Sequence, residues 1–179
     1  MIIYEPEEDS YLLESIISNY VKNKSVLEVG TGSGILAKKA INSGAKSVLA
    51  TDINPNAVKK LKEEHINSVK SNLFQKIKAK FDVIICNPPY LPEDKSEDKE
   101  SRKTTTGGKN GDEFILKFLK QAVKHLEQNG KILLLLSSLT PRNKIINFLS
   151  KNSLHHKLII SKNLFFETLE VWEIYYNNA

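Results

Sequence analysis

Short apolar runs alternate with amphipathic stretches along the whole chain. The runs have the length of strands, and the stretches carry apolar residues at helical spacing, so the pattern predicts alternating strands and helices. The predicted strands lie at 25–29, 47–51, 66–69, 81–86, 131–136, 155–160 and 167–176. The predicted helices lie at 8–20, 34–42, 54–64, 111–127 and 140–151.

This alternation is typical of βαβ units, which build a parallel sheet with helices on both faces. The run from Ile132 to Leu136 is apolar at every position, as expected for a strand that is buried on both sides. The last two strands follow each other without a helix, which predicts an antiparallel C-terminal edge. We therefore predict an α/β fold with a mostly parallel seven-stranded sheet, whose ligands bind beyond the carboxyl ends of the strands.

Composition favours one folded domain over residues 1–179. The 179 residues are 40% hydrophobic and 26% charged, which is enough apolar material for a core. The chain shows neither a secretory signal nor an apolar run of about 20 residues, so we expect a cytoplasmic protein that does not span a membrane. Cys86 is the only cysteine, which excludes an internal disulfide and a cysteine-built zinc site within the chain, and no metal site is predicted.

The formal net charge of +5 permits an acidic partner such as nucleic acid. Most lysines are scattered through the helical stretches. We therefore favour solvated helix faces over a dedicated nucleic-acid surface.

A glycine-rich turn after the first strand is the first candidate binding element. Gly30, Gly32 and Gly34 let the backbone turn tightly and approach a ligand, next to the free N–H groups of the following helix. Ile35 stands where a dinucleotide fingerprint needs glycine, so the turn suits a nucleoside without phosphates better than a pyrophosphate. The alternative is a tight strand–helix turn that binds nothing.

Two acidic residues belong to the first two strands. Asp52 lies about 20 residues after the first glycine, where an acid accepts hydrogen bonds from ribose hydroxyls; the alternative is a charge at the N-terminus of the next helix. Glu28 lies in an otherwise apolar strand, and a buried lone carboxylate needs a donor or a cation. S-adenosylmethionine would supply a sulfonium and an ammonium, whereas local backbone N–H groups are the alternative.

The most specific motif in the chain is Asn87-Pro88-Pro89-Tyr90, which follows the fourth strand. The prolines fix φ and remove two donors, and Asn87 is held extended because it precedes a proline. The side-chain oxygen of Asn87 and the carbonyl of Pro88 can accept the two hydrogens of a planar NH2 group, and Tyr90 can stack on or border that group. We predict that these four residues form the catalytic corner; the alternative is a rigid loop with a surface tyrosine.

With these motifs the chain resembles the S-adenosylmethionine-dependent class I methyltransferases, which implies a Rossmann-like fold. More narrowly, it resembles the HemK/PrmC-type glutamine methyltransferases, and most of all their short archaeal and eukaryotic branch, which lacks the N-terminal helical domain of the bacterial enzymes. Residues 1–24 would then form only an N-terminal helical segment. The resemblance is carried, in order, by Tyr4-Glu5-Pro6-Glu7-Glu8-Asp9-Ser10-Tyr11-Leu12-Leu13, Leu27-Glu28-Val29-Gly30-Thr31-Gly32-Ser33-Gly34, Thr51-Asp52-Ile53-Asn54-Pro55, the Asn-Pro-Pro-Tyr motif and Gly107-Gly108-Lys109-Asn110-Gly111.

The resemblance implies methylation of the side-chain amide nitrogen (N5) of the glutamine in the Gly-Gly-Gln motif of class I translation termination (release) factors. It also implies S-adenosyl-L-methionine as the cofactor, and close relatives work with a small zinc-binding activator subunit resembling Trm112. The cofactor contacts that it implies are Ser10, Glu28, Gly30, Thr31, Gly32, Gly34, Asp52, Ile53, Asn72, Leu73 and Asn87.

Two positions depart from the family pattern. Asn72 replaces an acid beside the adenine but keeps an acceptor, and Thr106 replaces a tryptophan that often precedes Gly107-Gly108. The segment 91–110 is too long and polar for an ordinary connection, so we predict a substrate loop that orders on binding; an insertion without a role is the alternative.

Two other functions are compatible with parts of this pattern. An RNA or DNA adenine-N6 or guanine-N2 methyltransferase would share the cofactor and the planar amino chemistry, but the chain lacks a separate nucleic-acid domain and an aromatic-rich basic patch. A non-catalytic cofactor-binding scaffold is the second alternative, and the intact Asn-Pro-Pro-Tyr motif argues against it.

Overall fold

The computed structural model describes residues 3–93 and 105–176. Residues 94–104, which make up most of the predicted 91–110 loop, lie outside the described residues. The described helices are α1 (Glu8–Ile17), α2 (Ile35–Asn42), α3 (Pro55–Glu63), α4 (Glu113–Ala122) and α5 (Asn143–Lys151). The described strands are β1 (Ser25–Val29), β2 (Ser47–Asp52), β3 (Ser68–Lys70), β4 (Phe81–Cys86), β5 (Leu126–Ser137), β6 (Leu154–Asn163) and β7 (Thr168–Tyr176).

The seven strands form one sheet in the order β3-β2-β1-β4-β5-β7-β6. Neighbours from β3 to β5 pair in parallel, and β7 pairs antiparallel with both β5 and β6. The predicted, mostly parallel sheet with an antiparallel C-terminal strand is therefore confirmed. The C-terminal strand inserts between β5 and β6 because it is buried along most of its length, whereas β6 is mostly exposed and takes the outer position.

Helices cover both faces of the sheet, as predicted. One apolar cluster packs α1, α2 and Leu61 of α3 against one face, and the other packs α4 and α5 against the opposite face. Ile132 to Leu136 are all 0% exposed, as expected for a strand between two helical layers. Since the helices block both faces, a ligand can reach this sheet only at a strand edge or a strand end.

The predicted helix 111–127 is wrong at its C-terminal end. The helix ends at Ala122, and Leu126 already pairs with Phe81 of β4 as the first residue of β5. Leu126 continues the helical spacing of the buried residues of α4, which explains the error. The register then shifts, since Val83 pairs with Lys131, so residues 127–130 bulge out of the ladder.

Within residues 3–93 and 105–176, no helix combines the length and the apolar character that crossing a bilayer requires.

Candidate active site

The sheet order creates a switch point at β1. From β1 the chain passes to β2 on one side, whereas β4 and β5 continue the sheet on the other side. The loops that follow β1, β2 and β4 therefore diverge at the carboxyl edge, which leaves a crevice there. A cavity of about 310 Å³ lies at this edge, a volume within the range of small-molecule sites.

Nearly all of the predicted site residues line this cavity. They are Ser10, Glu28, Gly30, Thr31, Gly32, Asp52, Ile53, Asn72, Leu73, Asn87, Pro88, Pro89 and Tyr90. Gly34 does not line it. A Cβ at Gly34 would lie 2.8 Å from Cδ1 of Leu61, and its φ is +84°, so glycine at this position allows α2 to pack closely against α3.

Glu28 is 1% exposed and lies at the floor of the cavity, on β1. Its Oε2 accepts a hydrogen bond from the Thr31 hydroxyl at 2.7 Å, while its Oε1 is buried and has no hydrogen-bond partner among the described residues. Burial raises the pKa of Glu28 to about 8, although the hydrogen bond from the Thr31 hydroxyl acts in the opposite direction. An orphaned carboxylate oxygen in a cavity is suited to receiving a cation.

The charges that line the cavity are of one sign. The described lining residues include the acids Glu7, Asp9, Glu28, Asp52 and Glu167 but no lysine, arginine or histidine. Such a lining favours a cationic ligand and provides no positively charged side chain for a phosphate. The residues present therefore fit a sulfonium- and ammonium-bearing nucleoside better than a dinucleotide.

The glycine turn and Asp52 hold each other in place. One carboxylate oxygen of Asp52 accepts from the N–H of Gly32 at 2.9 Å, and the other accepts from the N–H of Asn54 at 2.7 Å. Each oxygen keeps a further lone pair, and the half-buried side chain lines the cavity, so Asp52 can still accept from ribose hydroxyls. A Cβ on Gly30 would meet nothing within 4 Å, so glycine here leaves room where a ligand can approach the backbone.

The Asn-Pro-Pro-Tyr motif begins directly after β4 and forms one wall of the cavity. The Nδ2 of Asn87 donates to the hydroxyl of Ser10 at 3.4 Å, which points the amide of Asn87 in a defined direction. The Oδ1 of Asn87 is buried and, in the part of the chain that the structure describes, has no hydrogen-bond partner. A second unused acceptor thus lies in the same cavity as Glu28, and it matches the predicted acceptor for an amide hydrogen.

The start of α1 supports this wall from the other side, through a residue that the sequence analysis did not assign. Asp9, 5% exposed, accepts from the Tyr4 hydroxyl at 3.0 Å, from the Ser10 N–H at 2.5 Å and from the Tyr90 hydroxyl at 3.4 Å. Burial, together with the charge of Asp9, raises the pKa of both Tyr4 and Tyr90, so both phenols stay protonated and remain donors. Asp9 could have been predicted from the sequence, because it is an acid directly before the predicted site residue Ser10 in the first turn of α1.

The second glycine motif packs against the backbone of the Asn-Pro-Pro-Tyr loop. A Cβ at Gly107 would lie 2.6 Å from the carbonyl oxygen of Pro89 and 2.5 Å from that of Gly111. Hydrogen bonds join Leu91 N–H to the carbonyl of Thr105 and Gly107 N–H to the carbonyl of Leu91, at 3.0 and 2.9 Å. These contacts tie the described residues on either side of 94–104 to each other, next to the cavity.

No sequence motif predicted two further residues that line the cavity. Phe114 lies on α4 and Glu167 lies between β6 and β7, so only the fold brings them to the cavity. Cys86 is 1% exposed in the core, and burial raises the pKa of its thiol. Among the described residues, no group of three His, Cys, Asp or Glu side chains is placed to hold a metal ion.

Comparison with known proteins agrees with this geometry. A family model described as the methyltransferase small domain matches residues 7–165. A candidate protein N5-glutamine methyltransferase of Methanocaldococcus jannaschii is 41% identical over 153 residues, which cover 81% of this chain and 77% of that protein. A release factor glutamine methyltransferase of Aquifex aeolicus is 32% identical over 75% of this chain, but the match spans only 54% of its length.

A solved structure shows the same fold. The E. cuniculi Mtq2-Trm112 complex, described as responsible for methylation of the termination factor eRF1, superposes with a TM-score of 0.81 at 24% identity, over 99% of this chain and 100% of that chain. The family match covers most of the chain and includes the glycine turn, Asp52 and the Asn-Pro-Pro-Tyr wall, so the resemblance seen in the sequence is confirmed. The chain belongs to the methyltransferase small domain family and, within it, to the HemK/PrmC-type glutamine methyltransferases.

Proposed function

We propose that this enzyme transfers a methyl group from S-adenosyl-L-methionine to the side-chain amide nitrogen of the glutamine in the Gly-Gly-Gln motif of class I release factors. The observation that carries the proposal is a pair of buried acceptors in one acidic cavity, Oε1 of Glu28 and Oδ1 of Asn87, which have no hydrogen-bond partner among residues 3–93 and 105–176. The first suits a cationic methyl donor, and the second suits a neutral carboxamide. The names of the M. jannaschii and A. aeolicus relatives support the same reaction.

Different lining residues would bind different parts of the cofactor. Glu28 would face the positively charged part of the ligand, Asp52 would accept from the ribose, and Asn72 and Leu73 would border the base. When bound, the cofactor supplies a methyl group on a sulfonium, which is open to in-line displacement. The acidic lining stabilises this cation without a counter-ion from solvent.

The catalytic corner would compensate for the low nucleophilicity of the glutamine amide nitrogen. The lone pair of an amide nitrogen is delocalised, and the described lining residues include no histidine, lysine or cysteine base. Asn87 Oδ1 and the Pro88 carbonyl would accept the two N–H groups, which would hold the nitrogen in one orientation and favour positive charge on it. As the nitrogen–carbon bond forms, the sulfur–carbon bond breaks, the sulfur leaves as a neutral thioether, and one of the two N–H protons passes to solvent. Orientation of this kind can lower a barrier by about 7–11 kcal/mol in favourable cases.

The Asp9 hydrogen bonds keep this corner rigid. The Tyr90 ring is half-buried, and its hydroxyl is held by Asp9, so the ring can border the planar amide without turning away. The proline pair restricts the backbone on the other side. The corner is therefore arranged before substrate binds.

We also propose a Trm112-type activator subunit as a partner, supported by the Mtq2-Trm112 complex that shares this fold. Residues 1–179 would form one methyltransferase domain, and release-factor methylation would place it in the cytoplasm. The nucleic-acid alternative is not favoured, since the M. jannaschii and A. aeolicus relatives are named for protein substrates.

Mass spectrometry of a class I release factor tests this function. The factor is incubated with cofactor and enzyme, with and without a Trm112-type subunit, and we expect one added methyl group on the glutamine of the Gly-Gly-Gln motif. A factor with glutamate at that position is the matched control and should remain unmodified. Methyl transfer to total RNA, with none to the release factor under either condition, would contradict the proposal.

A further inference from the structure

Two adjacent phenylalanines form the turn between β6 and β7. Phe165 is 92% exposed and Phe166 is 85% exposed, whereas the next most exposed large apolar side chain in the described residues, Leu158, is 53% exposed. Neither phenylalanine therefore contributes burial to the fold, although buried aromatic side chains are among the largest sources of stability. A contiguous apolar pair left in solvent indicates a contact surface.

The turn holds the two rings in a defined arrangement. The N–H of Leu164 donates to the carbonyl of Glu167 at 2.8 Å, which closes the turn. The rings of Phe165 and Phe166 meet edge to face, with centroids 4.6 Å apart and planes at 86°. A partner would meet an ordered aromatic surface, so binding would cost little side-chain entropy.

The Phe165–Phe166 turn lies next to the candidate active site. The next residue, Glu167, lines the cavity, and its carboxylate accepts a hydrogen bond from Ser137 at the end of β5. Thr140 lies three residues after Ser137, and its hydroxyl donates to the backbone carbonyl of Tyr90 at 3.2 Å. A short path of contacts therefore joins the turn to the catalytic corner.

The opposite side of the turn is tied to the start of α1. Lys162, near the end of β6, forms an ion pair with Glu8, which lies between the lining residues Glu7 and Asp9. The hairpin is thus joined to the neighbourhood of the cavity through both Lys162 and Glu167. A polypeptide that delivers a side chain into the cavity would come close to this hairpin.

The cavity can recognise an amide group, but the side-chain carboxamide is chemically identical in every glutamine. Selection of one glutamine must therefore use contacts outside the cavity. We propose that the Phe165–Phe166 turn docks an apolar surface of the protein substrate next to its target glutamine. This inference rests on the proposed function, because it requires a protein that presents a glutamine to the cavity.

A double substitution, Phe165→Ser with Phe166→Ser, tests the docking role. Methyl transfer is measured to a full-length release factor and to a short peptide containing the Gly-Gly-Gln motif. We expect the KM for the full-length factor to rise about tenfold or more, as for loss of aromatic anchors at a protein interface, with kcat within about twofold and peptide kinetics unchanged. Leu158→Ser, on the same hairpin at a pairing position opposite Trp172, is the matched control and should leave every value unchanged.

The conservative double variant Phe165→Leu with Phe166→Leu should keep the KM for the factor within about threefold, because it keeps an apolar surface. Calorimetric cofactor affinity equal to that of the wild type verifies that each variant is folded. An unchanged KM for the factor in the serine variant would overturn the docking role. An equal loss on the peptide, or a wild-type dimer that the serine variant converts to a monomer, would also overturn it. Failure of the wild-type enzyme to methylate the factor, with and without the activator, is a separate result that overturns the proposed function itself.

Discussion

At the scale of single residues, we expect the proposed reaction to depend most on Asn87. Replacement with alanine removes the buried Oδ1 acceptor and should lower kcat by about 100-fold or more, which is the usual cost of losing one preorganised polar contact in an active site. Cofactor affinity should stay within about threefold, because Glu28 and Asp52 remain. Radiolabel transfer and calorimetry measure the two effects separately.

Gln128→Ala is a suitable control for Asn87→Ala, since it removes an exposed amide in the β5 bulge. It should change neither value. Normal methylation by Asn87→Ala would show that another group orients the substrate amide.

If Glu28 is the counter-charge of the cofactor, as proposed, cofactor binding should depend on pH. With a pKa of about 8, the free protein holds a proton on Glu28 at neutral pH, and a cationic ligand binds best to the ionised form. Affinity should therefore rise about tenfold per pH unit between pH 6 and pH 7, with release of close to one proton for each cofactor bound. Calorimetry in two buffers with different ionisation enthalpies measures this release.

The variant Glu28→Gln should bind the cofactor at least about tenfold more weakly at pH 8 and should release no proton on binding. Glu127→Gln, which changes an exposed carboxyl, is the control and should behave as the wild type. A wild-type affinity that does not change from pH 6 to pH 7 would contradict the role of Glu28 as the counter-charge.

At the scale of elements, the site depends on loops that touch backbone to backbone. Gly107→Ala places a Cβ 2.6 Å from the Pro89 carbonyl and 2.5 Å from the Gly111 carbonyl, so the two loops must separate. We expect the free energy of unfolding to fall by about 1–3 kcal/mol and methyl transfer to fall about tenfold, with cofactor affinity unchanged. Chemical denaturation and radiolabel transfer measure these effects.

Lys109→Ala is the control for Gly107→Ala, because it shortens an exposed side chain in the same segment and should be neutral. Equal activity of Gly107→Ala and the wild type would mean that the second glycine motif does not position the catalytic corner.

At the scale of the whole molecule, burial of the Glu28 carboxyl should lower stability at alkaline pH. The folded protein keeps the Glu28 proton up to about pH 8, whereas an unfolded chain releases it near pH 4.5, so the free energy of unfolding falls as pH rises between these values and levels off above pH 8. Asp82 has the opposite effect on stability. Its hydrogen bonds with Ser25 hold the pKa of Asp82 below the ordinary value, so its contribution to the free energy of unfolding is lost only in acid.

Glu28→Gln should therefore stabilise the ligand-free protein by ~2 kcal/mol at pH 8 and have little effect at pH 5. Urea denaturation at the two pH values measures this difference. Equal stabilities of the variant and the wild type at pH 8 would show that the buried carboxyl has a partner that neutralises its charge.

The chain pattern by itself was sufficient for the layered fold and for gathering the glycine turn, Asp52 and the Asn-Pro-Pro-Tyr motif at one edge of the sheet, and the reason is local. Period-two and period-3.6 spacing gave the strands and helices, and the glycine turn, Asp52 and the Asn-Pro-Pro-Tyr motif each follow a strand directly. In a parallel sheet such strand ends meet at one edge, so sequence position alone placed these residues together. Gly34 shows the limit of this reasoning, because a glycine in a binding motif can serve helix packing instead.

Only the tertiary structure decided what depends on contacts between distant segments. It inserted β7 between β5 and β6, ended α4 at Ala122 where Leu126 could pair with β4, and brought Asp9, Phe114 and Glu167 to the cavity. It also left Glu28 and Asn87 each with a buried acceptor that has no partner among the described residues, and it placed the Phe165–Phe166 turn next to the cavity. Burial and hydrogen-bond partners are properties of the packed chain, and no local pattern of residue types specifies them.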